Sequence, residues 1–204
     1  TDTIPLSGWA WNANDDPPGG VGWTKFRGTN FGVDIEKSSG DFSGYAWNSN
    51  IGWVRFDPPT DEGYPGASED AHSAYILVNP DGSITDGAVV TGWARVCSVF
   101  DSGCSGTLKS DDKRGGWDGW IKMSVGSGGG VPYGVSKATI NGVGQLVGFA
   151  WAGDLGWISF DTNGIINPDC PIYDPDDPDC GDPPPVCGNE PGQTPCPPNC
   201  DPDA

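Results

Sequence analysis

The sequence predicts a mostly-β fold, sandwich-like or made of small packed sheets. It should hold about ten short antiparallel strands and an irregular disulfide-stapled C-terminal tail. Three observations lead there. The 204 residues include 33 glycines and 20 prolines, spaced so that no amphipathic helix of ordinary length survives between them. One aromatic motif recurs four times within residues 1–161. Five of the seven cysteines crowd into the last 35 residues, among prolines dense enough to forbid a central strand.

The four copies define the elements in order. An extended stretch, Thr3-Ile4-Pro5-Leu6, leads into Gly8-Trp9-Ala10-Trp11-Asn12, a loop, and Gly22-Trp23-Thr24-Lys25-Phe26. The strand Phe31 to Ile35 precedes a compact copy, Gly44-Tyr45-Ala46-Trp47-Asn48 followed by Gly52-Trp53-Val54-Arg55-Phe56. Tyr75-Ile76-Leu77-Val78 precedes a third copy, Gly92-Trp93-Ala94-Arg95, which resumes at Gly119-Trp120-Ile121-Lys122-Met123. Tyr133-Gly134-Val135 precedes the fourth, Gly148-Phe149-Ala150-Trp151 with Gly156-Trp157-Ile158-Ser159-Phe160. Each copy reads as a β-hairpin, two aromatic or β-branched stretches around a loop of Asn, Gly and Asp. Long and compact copies alternate, so the domain spanning 1–161 reads as a duplication of roughly 1–60 and 74–161.

Alternation separates the faces. Val54 and Phe56 share one face and Trp53 and Arg55 the other; Ile121/Met123 and Ile158/Phe160 repeat the split. The β-branched, Phe and Met face is the expected core. Gly44 and Ala46 alternate with Tyr45 and Trp47, which leaves room for an indole from the partner strand to cross the backbone. Two readings of Trp9, Trp11, Trp23, Trp47, Trp53, Trp93, Trp120, Trp151 and Trp157 follow. As framework, each buries about 150–250 Å². As a surface, they form a row of indoles able to stack on sugar rings. Recurrence in every copy favours the framework.

These phrases, Gly44-Tyr45-Ala46-Trp47-Asn48 with Ile51-Gly52-Trp53 and Gly92-Trp93-Ala94-Arg95-Val96-Cys97 with Gly115-Gly116-Trp117-Asp118-Gly119-Trp120-Ile121, resemble the Gly-Trp hairpin repeats of secreted surface proteins of ultra-small candidate-phylum bacteria. The resemblance covers roughly residues 6 to 161. It implies an extracellular or cell-surface role and transfers no catalytic residue.

Residues 162–204 carry nine acids, twelve prolines and no Lys or Arg. Cys170, Cys180, Cys187, Cys196 and Cys200 lie there; Cys97 and Cys104 are close enough to bridge one loop. Seven cysteines in a Gly/Pro-rich chain indicate an oxidising compartment, with one thiol left free or bridging two chains. A start at Thr1 without a basic or apolar leader reads as a mature secreted chain or a trimmed one. Zinc is a weaker reading, since only Cys196 and Cys200 have ligand spacing. Oxygen ligands for Ca²⁺ are available at Asn12, Asn14, Asp15 and Asp16 and at Asp174, Asp176, Asp177 and Asp179, although neither run matches a helix-flanked calcium loop. No cofactor is required.

The net charge of −18 excludes duplex binding, which needs clustered Lys and Arg, and no apolar run is long enough for a membrane-spanning helix. His72, the one histidine, lies in a turn-rich linker, so neither a Ser-His-Asp nor a Cys-His arrangement is expected, and no enzyme. The expected function is structural: a secreted, homopolymeric subunit of an extracellular filament or appendage, its partner being itself. Ile4, Leu6, Tyr75, Ile76, Val78, Ile172 and Tyr173 are the candidate assembly residues, because open strand edges accept a neighbouring strand. The alternative is an adhesin binding surface glycans through exposed tryptophan faces.

Overall fold

The computed structural model describes residues 2–12, 20–65, 71–125, 133–140 and 143–160. Fifteen short strands form among them: β1 (Thr3–Leu6), β2 (Trp9–Asn12), β3 (Gly22–Lys25), β4 (Arg27–Gly28), β5 (Phe31–Glu36), β6 (Phe42–Asn48), β7 (Gly52–Arg55), β8 (Tyr75–Ile76), β9 (Val89–Thr91), β10 (Trp93–Val96), β11 (Trp120–Lys122), β12 (Ser124–Val125), β13 (Tyr133–Ile140), β14 (Val143–Ala152) and β15 (Gly156–Ser159). A four-residue helix, Asp111–Arg114, and two 3-10 turns complete the described elements.

The four motif copies are four hairpins, β2–β3, β6–β7, β10–β11 and β14–β15. They pair side by side, β3 with β6, β7 with β10, β11 with β14 and β15 with β2. The result is a closed eight-strand antiparallel barrel rather than the expected sandwich. Closure follows from composition. At this strand number a barrel interior is just wide enough for side chains to fill. The first strands point Ala10, Ala46, Ala94 and Ala150 inward, and the second strands point Phe26, Val54, Phe56, Ile121, Met123, Ile158 and Phe160 inward; all are buried. Small residues on one strand make room for large ones on the next, and Phe26 stacks on Phe160 with centroids 5.4 Å apart. Two packed sheets would leave four edges open, whereas the barrel leaves none.

The remaining strands form an outer layer, and the two halves repeat the same pairings. Strand β1 lies on β5 and β5 on β6, as β9 lies on β13 and β13 on β14. In this correspondence Val33, bridged to Gly44 and Leu6, matches Val135, bridged to Gly148 and Val90. Gly44 (φ 87°) and Gly148 (φ 99°) bend β6 and β14 from the outer layer into the barrel. A Cβ on either would stand 2.2 Å from the carbonyl oxygen of Gly32 or Gly134. The repeat glycine therefore admits a backbone carbonyl at a left-handed bend, not the indole that alternation suggested.

Candidate functional site

A cavity inside the barrel, lined by Ala10, Phe26, Val54, Phe56, Ile121 and Phe160, measures about 20 Å³, the space of roughly one water. A ligand-binding barrel needs a far larger cavity, which turns attention to the outer face. Alternation dictates what is there: with Ala and the aliphatics inward, every motif indole points outward.

Three of the four hairpins pair their tryptophans directly across the strands. Trp11 faces Trp23, Trp47 faces Trp53 and Trp151 faces Trp157, with ring centroids 4.6, 4.7 and 4.7 Å apart. Such pairs add about 0.5–1.5 kcal/mol each beyond area burial. In the second hairpin Trp53 also meets Phe31 (5.2 Å) and Tyr45 (6.3 Å) edge to face. The fourth hairpin repeats this around Trp157, with Tyr133 at 5.0 Å and Phe149 at 6.3 Å. These two ladders are the exposed ones: Trp47, Trp53, Trp151, Trp157 and Phe149 each keep 37–47% of their surface in solvent. Hairpins two and four are separated by two strands of hairpin one on one side and two of hairpin three on the other. The ladders thus sit on opposite flanks of the barrel.

The third hairpin departs from the pattern, with Arg95 where the others carry Trp. Its guanidinium lies 4.2 Å from the Trp120 ring centroid and 4.8 Å from that of Phe100. It donates to Glu62 Oε2 at 2.7 Å and to the Asp118 carbonyl at 3.0 Å. Both members of this ion pair are buried, beneath the linker that follows β7. Tyr64 of that linker covers Trp120 with centroids 5.0 Å apart; burial, then the nearby Glu62 charge, push its phenol pKa up. Lys25 over Trp9 (5.1 Å) and Lys122 over Trp93 (5.2 Å) add cation–π contacts.

Buried amides lock neighbouring hairpins. Asn48 Nδ2 donates to the Trp23 and Val21 carbonyls at 2.9 and 3.1 Å, and its Oδ1 accepts from the Asn50 and Ile51 amides. Asn12 Nδ2 donates to the Leu155 and Trp157 carbonyls, both at 2.7 Å, while Oδ1 accepts from Val21 N. Asn12, a candidate calcium ligand, has both amide atoms occupied in this way. Asn14, Asp15, Asp16, Asp174, Asp176, Asp177 and Asp179 lie outside the described residues, as do Ile172, Tyr173 and the five tail cysteines. Among the described residues, no three His, Cys, Asp or Glu side chains gather around a metal position.

Cys97 and Cys104 form the expected disulfide. Of the assembly residues, Ile4 and Leu6 pack against the core from β1. Tyr75 and Ile76 are not a free donor strand: β8 pairs with β9 and Ile76 is fully buried, because Tyr75 to Val78 is consumed in the molecule's own outer layer. Val78 also packs on the core. His72 donates from Nδ1–H to the Ser73 carbonyl, 2.7 Å away, and packs on Tyr75. Phe31, Tyr133 and Glu62 were not singled out by sequence. Arg95 in a tryptophan position was the one signal that a partner carboxylate had to be nearby.

Six of the eight barrel strands run only three or four residues, against about 9–11 for a membrane-spanning strand. Their inside is packed with Ala, Val, Ile, Met and Phe, whereas an outer-membrane barrel has a polar interior. Comparison with protein-family models, with curated proteins and with solved structures finds no match.

Proposed function

We propose that the chain is a secreted structural subunit that assembles with copies of itself into an extracellular filament or surface appendage. The carrying observation is the pair of exposed aromatic ladders, around Trp53 and Trp157, on opposite flanks of one rigid barrel. Exposed clusters of this kind mark interaction surfaces. Two equivalent ones on opposite sides make a divalent subunit, and a divalent subunit propagates a line instead of closing a dimer. The filled interior supports the reading by removing the usual small-molecule role of such barrels. The Cys97–Cys104 disulfide fits an oxidising, extracellular setting.

Sedimentation velocity and negative-stain imaging at rising protein concentration test this. The unmodified chain should form extended oligomers. Trp47→Ser with Trp53→Ser should stop growth at dimers, and adding Trp151→Ser and Trp157→Ser should leave monomers. A strictly monomeric wild-type chain at high concentration overturns the proposal. The second reading, a glycan-binding adhesin, draws on the same observation, since half-exposed indoles can stack on sugar rings. It predicts tryptophan fluorescence changes on titration with oligosaccharides, unaffected by the oligomeric state.

A further inference from the structure

The two halves match strand for strand with one exception. Between the halves, β8 fills a slot bounded by β9 and by the start of β6. There Ala74 N donates to Phe56 O (3.3 Å), Phe42 N to Ala74 O (2.9 Å), and Ile76 N to Gly40 O (2.9 Å). On its other side β8 bridges Tyr75 to Thr91 and Ile76 to Val90. The correspondence of the halves maps Phe56 onto Phe160, Phe42 onto Leu146, Gly40 onto Gly144, Thr91 onto Ser7 and Val90 onto Leu6. It therefore demands a second slot, between β14 and β1, and among the described residues no strand occupies it.

Four comparisons show that this second slot is open to the described chain. Phe42 and Val90 are 1% and 0% exposed, whereas their counterparts Leu146 and Leu6 are only half-buried. A Cβ on Gly40 would run into the Ile76 carbonyl at 1.8 Å; on Gly144 it would meet only the Lys137 stem, at 3.4 Å. A Cβ on Gly92 would strike Ser73 O at 2.3 Å, while one on Gly8 would meet nothing within 4 Å. The amide of Leu146 and the carbonyl of Phe160 bond to no described backbone group, although the matching groups at Phe42 and Phe56 are both paired. An outer-layer edge with apolar side chains half-covered and backbone groups aimed into a gap one strand wide is a strand acceptor.

We propose that this slot is filled in the same chain by the segment 162–173, as an added strand. The filled slot supplies the argument for the occupant. Its strand is the segment that follows hairpin two, leaving Phe56-Asp57, passing over the Trp120 face of hairpin three, and returning to the Phe56 carbonyl. Hairpin four ends at Phe160, at the mouth of the second slot; in sequence an Asp follows it as one follows Phe56, and residues 161–204 continue from there. Ile165, Ile166, Ile172 and Tyr173 are the large apolar side chains available there to take the role of the buried Ile76. The inference stands apart from the assembly proposal, which uses the ladder side chains, Phe149 and Trp151 of β14 among them, and not the backbone groups at the start of β14 that line this slot.

Residue-resolved amide hydrogen exchange on the full chain tests it, with Phe42 as the internal control. In the wild-type chain at low concentration, where it sediments as a monomer, the Leu146 amide should be protected as well as Phe42. A full-length variant carrying Ile165→Ser, Ile166→Ser, Ile172→Ser and Tyr173→Ser should exchange Leu146 about tenfold faster or more, the loss expected for one net hydrogen bond, with Phe42 unchanged. Unprotected Leu146 in the wild type, or equal protection in the variant, overturns the proposal. Protection that appears only as oligomers form overturns it too, because a second copy would then supply the strand. That last outcome leaves the assembly reading standing, whereas a monomer with a protected Leu146 supports the slot while defeating the filament.

Discussion

At the scale of single residues, the molecule depends on polar groups placed where aromatics or aliphatics would be simpler. Asn48 satisfies two carbonyls and two amides from inside the barrel wall. Asn48→Ala leaves them unpaired in an apolar setting and should cost about 2–3 kcal/mol in a denaturant titration. Arg95 and Glu62 form a buried pair, so Arg95→Met alone strands a carboxylate and should cost about 3–5 kcal/mol. Combining it with Glu62→Met should recover most of that loss, because the charge requiring a partner is gone; a double variant no more stable than the single one would refute the account. Tyr64 has its phenol pKa raised above 10.0, first by burial and then by the Glu62 charge. A raised folded-state value means the unfolded chain loses its proton first as pH climbs. The contribution of Tyr64 is thus complete below about pH 10 and is lost as pH rises through the folded value. Alkaline denaturation should show this decline in the wild type and a shallower one in Tyr64→Phe.

At the scale of elements, the bends decide the architecture. Gly148→Ala places a Cβ against the Gly134 carbonyl at a positive φ and should destabilise by at least about 1–2 kcal/mol. The same change at Gly153, whose Cβ position is free, should be nearly neutral, and thermal melts of the two variants make the comparison. These elements also show what could be read beforehand. Hairpins, strand faces and the Val54/Phe56 type of core face follow from alternation alone, and the structure agrees with them. Closure does not follow, because strands as short as Trp120–Lys122 carry no mark of whether hairpin four meets hairpin one. The role of Gly44 was missed for a related reason: a glycine beside aromatics reads equally as room for a ring or as a bend, and only the Gly32 carbonyl distinguishes them.

At the scale of the whole molecule, the tryptophans proved to be neither core nor simple platform. They clad the outside of a barrel whose inside is filled by smaller apolar residues, so they serve as wall and as surface together. Sequence could list every ladder tryptophan but not rank them. Trp120 is buried by a linker and Trp157 is half open, and that difference is set by Tyr64, 56 positions away from Trp120 along the chain. The assembly predicted for the two open ladders belongs to this scale, since it depends on their opposite placement and not on any one ring.

The matching of the halves has a further consequence. Each half contributes four consecutive barrel strands, ending in β2 and β7 or in β10 and β15, and each therefore has two raw barrel edges of its own. The seams β7–β10 and β15–β2 are where these edges heal, and they are equivalent contacts: Arg95 meets Arg55 at one and Trp11 meets Ser159 at the other. A peptide carrying one half alone has no means to close on itself, yet it is complementary to a second copy of itself on both sides. The present chain thus has, in its pairing, the two-fold arrangement of a dimer whose like halves are joined end to end.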